Sequence, residues 1–288
     1  MKILVTGAGG QLGQELQALA ERFPTYQFSF HDRSTLDLGD PVRIASVIGA
    51  ARADYCINAG AYTAVDKAES EPDAAFRVNA DGVGALAAAC ADAGTRLLHL
   101  STDYVFDGSA NTPYREEDPT GPIGVYGASK RAGEELCLRV NPDAVIIRTA
   151  WVYSAFGHNF VKTMLRLMPQ KESLSIVDDQ QGCPTYAADL AAALLHIIGS
   201  GTWVPGIFHY SNDGPTTWYR FAAAVKAHCG FSCVLRPIAT DQYPTPAARP
   251  AWSVLDTGKI RNTYGLNIRN WSGCLSECLA LLRCGQPL

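Results

Sequence analysis

A tyrosine and a lysine four residues apart, Tyr126 and Lys130, lie in a stretch with helical patterning, so their side chains share one face. A free phenol has a pKa near 10, too high to exchange a proton readily at neutral pH. A neighbouring ammonium favours the phenolate and lowers that value, so the pH profile of turnover is expected to report a group well below 10. Such a pair could protonate a ketone oxygen as hydride reaches its carbon. Thr102, at the end of a predicted strand, could hold the same oxygen by a hydrogen bond.

Hydride needs a donor, and the start of the chain supplies a place for one. Gly7-Ala8-Gly9-Gly10-Gln11-Leu12-Gly13 lies between a predicted strand and a predicted helix. Glycines at 7, 10 and 13 would make a tight turn, admit a pyrophosphate to the backbone and let helix pack on strand. The helix N-terminus, at Gln11 and Leu12, would face the phosphates with its partial positive charge. Asp32, about 20 residues on, is placed to bond adenosine ribose hydroxyls, and Arg33 to meet a 2′-phosphate. NADH and NADPH both remain open as cofactor, with NADH expected to be modestly preferred. Asp37 and Leu38 could flank the adenine, and the small residues Ala59, Gly60 and Ala61 would let the cofactor lie on backbone.

These positions need a scaffold, and the first half of the chain reads as one. Strands are predicted at 2–6, 27–31, 55–58, 96–101 and 144–149, with helices at 11–20, 42–50, 74–93 and 126–140. Strands alternating with helices imply βαβ units with right-handed crossovers, hence an α/β, Rossmann-type doubly wound parallel sheet. Residues 1–150 read as a dinucleotide-binding domain and 151–288 as a smaller, mainly substrate-binding region. Its segments at about 180–210 are expected to return to the Rossmann core. Further helices are predicted at 159–167, 187–198, 218–228 and 274–282.

Composition closes off other classes. Hydrophobic residues are 47% of the 288 and charged residues 18%, ample for a buried core. The formal net charge is −4 without a basic run, which argues against nucleic acid or a membrane as partner. Apolar runs such as 187–198 are too short to span a bilayer, and the start of the chain lacks the signal-peptide pattern. A cytoplasmic protein is expected. The nine cysteines are scattered and odd in number, so reduced, mostly buried thiols are expected rather than disulfides or a metal centre.

The glycine spacing, Thr102 and Tyr126-x-x-x-Lys130 resemble the extended short-chain dehydrogenase/reductase superfamily. Several longer segments are similar, more narrowly, to the dTDP-4-dehydrorhamnose reductase family. They are Ala61-Tyr62-Thr63-Ala64-Val65-Asp66-Lys67-Ala68-Glu69, Ser101-Thr102-Asp103-Tyr104-Val105-Phe106-Asp107-Gly108, Arg148-Thr149-Ala150-Trp151-Val152-Tyr153, Asp179-Gln180-Gln181-Gly182-Cys183-Pro184-Thr185 and the stretch 243–250.

The resemblance implies NADH- or NADPH-dependent reduction of the C4 ketone of dTDP-4-dehydro-β-L-rhamnose. It implies Thr102, Tyr126 and Lys130 as the catalytic trio and a dTDP-sugar as the partner. Tyr62, Tyr126 and Lys130 join the residues expected at the cofactor, and Thr102, Asp103 and Trp151 are expected at the sugar. Arg249, in a proline-stiffened segment, would suit a diphosphate through bidentate hydrogen bonds.

Some family members hold Mg2+ through glutamates at a dimer interface. Glu15 matches one, but Tyr186-Ala187-Ala188-Asp189 stands where a second is expected, and the end at Gln286-Pro287-Leu288 lacks a late acidic residue. No metal ligand is therefore assigned, Glu15 is expected to be an exposed helix residue, and a homodimer is left open. Rival chemistries are a 4,6-dehydratase, an epimerase and a non-catalytic NADP-binding subunit. The first is disfavoured because Tyr104 replaces the second carboxylate of a Thr-Asp-Glu.

Overall fold

A computed structural model describes residues 1–284; the segment 285–288 and the side chains of Arg283 and Cys284 lie outside the described residues. Five strands follow the chain: β1 (Lys2–Thr6), β2 (Gln27–His31), β3 (Tyr55–Asn58), β4 (Arg96–Thr102) and β5 (Val145–Thr149). They form one parallel sheet in the order β2-β1-β3-β4-β5, extended beyond β5 by the strand Gly206–His209. Interior strands are apolar on both faces because helices cover both. Ile3, Leu4 and Val5 of β1 and Val145, Ile146 and Ile147 of β5 are all buried.

One face packs α1 (Gln11–Ala20) beside the helices Ala187–Gly199 and Gly258–Tyr264, through Leu16, Leu194 and Ile260. The other packs α2 (Pro41–Ala51), Gly82–Asp92 and Val125–Val140, through Ile44, Leu86 and Cys137. Asp40 caps α2 by accepting from Arg43 N at 3.0 Å, with Pro41 opening the helix. This is a Rossmann-type doubly wound fold. From β1 the chain runs outward to β2 and then returns to the other side as β3. The crevice between the carboxyl ends of β1 and β3 is therefore the topological switch point, where such sheets bind ligands.

The chain after residue 150 supplies the strand Gly206–His209 and the helix Ala187–Gly199 to this sheet and builds a smaller apolar cluster beside it. Tyr153, Val161, Phe221, Leu275 and Cys278 centre that cluster. Two short parallel pairs, Ser173–Val177 with Val234–Ile238 and Val152–Tyr153 with Thr185–Tyr186, frame it.

One predicted helix is corrected. Residues 74–93 are not a single α-helix: Pro72–Phe76 leads into a π-helical turn at Arg77–Asp81, and α-helix resumes at Gly82–Asp92. At Gly82 the helix passes so close to Leu38 that a Cβ would sit 2.1 Å from its carbonyl oxygen. Alanine periodicity along the segment could not show that constraint. Eight cysteines are free among the described residues, all but Cys229 buried.

Candidate active site

The glycine loop opens the site. Gly7 has φ +68°, a left-handed conformation that glycine adopts at little cost. A Cβ there would lie 2.5 Å from Gly60 N, so the loop rests directly on the end of β3. Gly13 packs helix on strand, since its Cβ would fall 2.4 Å from Gly7 O. At Gly10 the nearest neighbour to an added Cβ is Gly7 O at 3.3 Å, and Gly10 is exposed. Among the described residues no side chain caps the first turn of α1, so its amides face the cleft.

That cleft encloses about 1210 Å³. It is lined by Gly7, Gly10, Gln11, Leu12, Asp32, Arg33, Asp37, Leu38, Ala59, Gly60, Ala61 and Tyr62 from the cofactor set, and by Thr102, Asp103, Tyr126, Lys130 and Trp151. Gly13 and Arg249 do not line it. Asp32 turns Oδ1 into its own loop, accepting from Ser34 N and Oγ and Thr35 N and Oγ1 at 2.7–3.1 Å. The Ser34 hydroxyl and Thr35 amide hold its pKa below the usual carboxylate range. Arg33 is largely exposed and lies 3.5 Å from Asp37 Oδ2.

Tyr126 sits on the first turn of Val125–Val140, whose first amide donates to Glu69 Oε1 at 2.8 Å. The helix can approach closely because Gly127 and Gly133 lack side chains. Added Cβ atoms would meet Tyr104 O and Asn79 O at 2.1 and 2.0 Å. From the π-helical turn, Asn79 accepts Tyr62 N at 2.8 Å and donates to Ser129 Oγ at 3.0 Å, joining the cofactor side to this helix. Thr102 ends β4, its hydroxyl donating to Asp103 Oδ1 at 3.0 Å and accepting from Tyr104 N at 3.2 Å.

The electrostatics correct one expectation. Lys130 does not lower the Tyr126 pKa; burial pushes the phenol up to about 12, opposed by the Thr102 hydroxyl and reinforced by the Asp103 carboxylate. Lys130 is 2% exposed and donates from Nζ to Leu100 O at 2.7 Å. Its own pKa falls to about 8 through burial, against the opposing charge of Glu134. Arg148 holds Glu134 in a bidentate ion pair, Nε to Oε1 at 2.9 Å and Nη2 to Oε2 at 2.7 Å. Burial raises Asp103 to about 6, although the Ser253 and Thr102 hydroxyls lower it. Its Oδ2 is buried without a hydrogen-bond partner among the described residues.

Trp151 has φ +47° and stacks on Trp218, ring centroids 3.6 Å apart and planes within 9°. It is both a wall of the cleft and a packed aromatic. Arg249 forks onto Asp66, Nη2 to Oδ2 at 2.9 Å and Nη1 to Oδ1 at 3.0 Å, which commits the guanidinium expected at a diphosphate.

The model of the RmlD substrate binding domain matches residues 1–284. A dTDP-4-dehydrorhamnose reductase of Sinorhizobium fredii is 45% identical over 280 residues, 94% of each chain. The chain belongs to the dTDP-4-dehydrorhamnose reductase family. A crystal structure of a dTDP-4-dehydrorhamnose reductase from Clostridium acetobutylicum superposes on it with TM-score 0.94 at 38% identity, covering 98% of this chain and 100% of that one. One from Bacillus anthracis, solved in complex with NADP, gives TM-score 0.93 at 35% identity, covering 97% and 99%.

As a member of the dTDP-4-dehydrorhamnose reductase family, the chain invites a test of the magnesium site, and its donors do not fit one. Glu15 is buried, not exposed as expected, because α1 packs against the segment after β5, where Glu15 Oε1 accepts from Ser154 Oγ at 2.6 Å. Burial raises its pKa, against the Ser154 bond. Asp189 is already taken: it is ion-paired with Arg269 and accepts from Asn212 Nδ2 at 2.7 Å and Cys274 Sγ at 3.0 Å.

Residues that sequence reasoning did not single out also line the cleft, notably Thr63, Arg77, Tyr104 and His158. Thr63 and Tyr104 lay inside the quoted family segments. Arg77 enters only because the π-helical turn aims it at the loop of Asp37 and Gly39, for which no local pattern exists.

Proposed function

We propose that the protein reduces the C4 ketone of dTDP-4-dehydro-β-L-rhamnose to give dTDP-β-L-rhamnose, using NADH or NADPH. The observation that carries this reading is one cleft shared by the glycine loop at the switch point and by Thr102, Tyr126 and Lys130 at the carboxyl end of β4. The family membership supplies the substrate class. The glycine floor fits a dinucleotide, because the approach to Gly10 is open while Gly7 and Gly60 hold backbone against backbone. Residues 1–150 would bind the dinucleotide and residues 151–288 mainly the sugar nucleotide.

When bound, the nicotinamide supplies the hydride to C4. The phenol of Tyr126 donates its proton to the developing C4 alkoxide, a task that suits a group kept protonated by burial. Thr102 holds the same oxygen, and Asp103 with its unpartnered Oδ2 takes a sugar hydroxyl. Lys130 contributes to the nicotinamide ribose site beside Tyr126. Trp151 forms one wall for the sugar. We place the enzyme in the cytoplasm with a dTDP-sugar, not nucleic acid or a membrane, as its partner; among the described residues no helix is long and apolar enough to cross a membrane.

The test is an assay with dTDP-4-dehydrorhamnose generated in situ, following NADH or NADPH absorbance and the C4 configuration of the product. Cofactor oxidation yielding the rhamno product is expected. A protein that carries tightly held NAD and leaves the ketone unreduced would overturn the reading in favour of an epimerase.

A further inference from the structure

The proposed chemistry leaves His158 without a task, although it lines the cleft. It stands in the loop 154–159, between the strand Val152–Tyr153 and the helix Phe160–Leu167. The residue is exposed, and its ring has no hydrogen-bond partner among the described residues.

An exposed histidine on a free loop would simply be solvated, but this loop is not free. Contacts across about 140 residues of sequence tie it to α1. Ser154 Oγ donates to the buried Glu15 Oε1 at 2.6 Å, and Asn159 Nδ2 donates to Gln11 Oε1 at 3.0 Å. Inside the loop, Phe156 N donates to Ser154 Oγ at 2.9 Å and Lys162 Nζ to Ala155 O at 3.2 Å. Asn159 also caps the next helix, accepting from Lys162 N at 3.1 Å.

Gly157 is where the loop meets α1. Its φ is +62°, and an added Cβ would lie 2.9 Å from Gln11 Cγ and 3.9 Å from Gln11 N. The loop backbone therefore rests on the first residue of α1. The next residue, His158, enters the same cleft as Gly9, Gly10 and Gln11.

We infer that His158 is a binding residue for the diphosphate of the dinucleotide, donating an imidazole N–H to it from the region after residue 150. The inference deepens the dinucleotide reading of the cleft and rests on it. Backbone amides of the glycine loop can hold only the side of a diphosphate that faces them, and glycines carry no side chain to reach around it. An imidazole keeps at least one N–H in every protonation state, so it can donate to a phosphate oxygen whether or not it is charged. The other basic side chains lining the cleft are engaged elsewhere. Arg33 lies beside Asp37, Lys67 pairs with Glu71 at 2.9 Å, Arg77 reaches the loop of Gly39 and Lys130 donates to Leu100 O.

The test is calorimetric titration of the full chain with NADPH and, separately, with dTDP, joined to phosphorus NMR of the bound cofactor. His158→Ala should weaken NADPH by about tenfold and leave dTDP affinity unchanged. The diphosphate resonances of bound NADPH should move while that of its 2′-phosphate stays in place. Because the side chain is exposed, the melting temperature should hold, which separates lost binding from lost structure. His158→Gln keeps an N–H donor and should recover part of the affinity. NADPH binding unchanged by His158→Ala, or a loss seen with dTDP and not with NADPH, would overturn the inference alone. Wild-type protein that binds neither NADPH nor NADH would overturn it together with the reading of the cleft.

Discussion

Glu69 Oε1 and Val125 N meet at 2.8 Å although 56 residues separate them, so a carboxylate from the segment after β3 caps the helix that carries Tyr126. The interaction satisfies an otherwise orphaned amide and places negative charge at the positive end of the helix dipole. Glu69→Ala should therefore lower stability by about 1 kcal/mol. Turnover should fall by about tenfold as the first turn loosens, with cofactor affinity nearly unchanged. Thermal melts alongside steady-state kinetics measure both, and a stability loss with unaltered kcat would make the cap purely structural.

Tyr126→Phe keeps the ring and removes the donated proton. The expected fall in kcat is about two to four orders of magnitude, with little change in the affinity for either ligand. Near-normal reduction by this variant would place the proton source elsewhere.

Gly10→Val should weaken cofactor binding by more than tenfold while the fold survives, because the added side chain enters the cleft and not the core. Gly13→Val is the contrast: its side chain would strike the glycine loop itself, so the melting temperature should drop. Calorimetric titration and thermal melts on the two variants separate space for ligand from space for packing.

Trp151→Ala should raise KM for the nucleotide sugar and leave cofactor affinity nearly intact. Because the ring also stacks on Trp218, some thermal stability should be lost with it. A stability loss without a change in KM would confine the residue to packing.

Asp103 makes a pH-dependent contribution whose sign can be worked out. Its pKa rises from 3.8 to about 6 on folding, so the folded protein holds a proton that the unfolded chain releases between those values. That stabilisation is complete below pH 3.8 and is lost as pH rises through about 6; the full term is roughly 3 kcal/mol. Asp103→Asn removes the titration. Melting temperatures of variant and wild type should therefore diverge in the variant's favour from about pH 4 to pH 6 and run parallel above it. A constant offset across that range would mean that the carboxyl does not titrate there.

The parallel scaffold was legible because its signals are local. Unbroken apolar runs such as 3–5 and 145–147 mark buried strands, and the glycines at 7, 10 and 13 mark the turn between β1 and α1. The four-residue spacing of Tyr126 and Lys130 placed both on one helical face lining the cleft. What was not legible depends on contacts between distant segments. The turn at 77–81, the left-handed backbone of Trp151 and the pairing of Arg249 with Asp66 have no signature in neighbouring residues. The shift of the Tyr126 phenol was misread for a related reason: spacing puts a lysine on the same helical face, but burial between distant segments raises the phenol.

The bidentate pair between Arg148 and Glu134 has a mechanical consequence. Glu134 stands two turns beyond Tyr126, and Arg148 rises from β5 beneath it. A forked pair tolerates neither rotation of the helix about its axis nor sliding along it, because either movement breaks two parallel bonds at once. The angular phase of the phenol over the cleft is thus keyed to the sheet. A lysine at position 148 would conserve the charge yet surrender that phase.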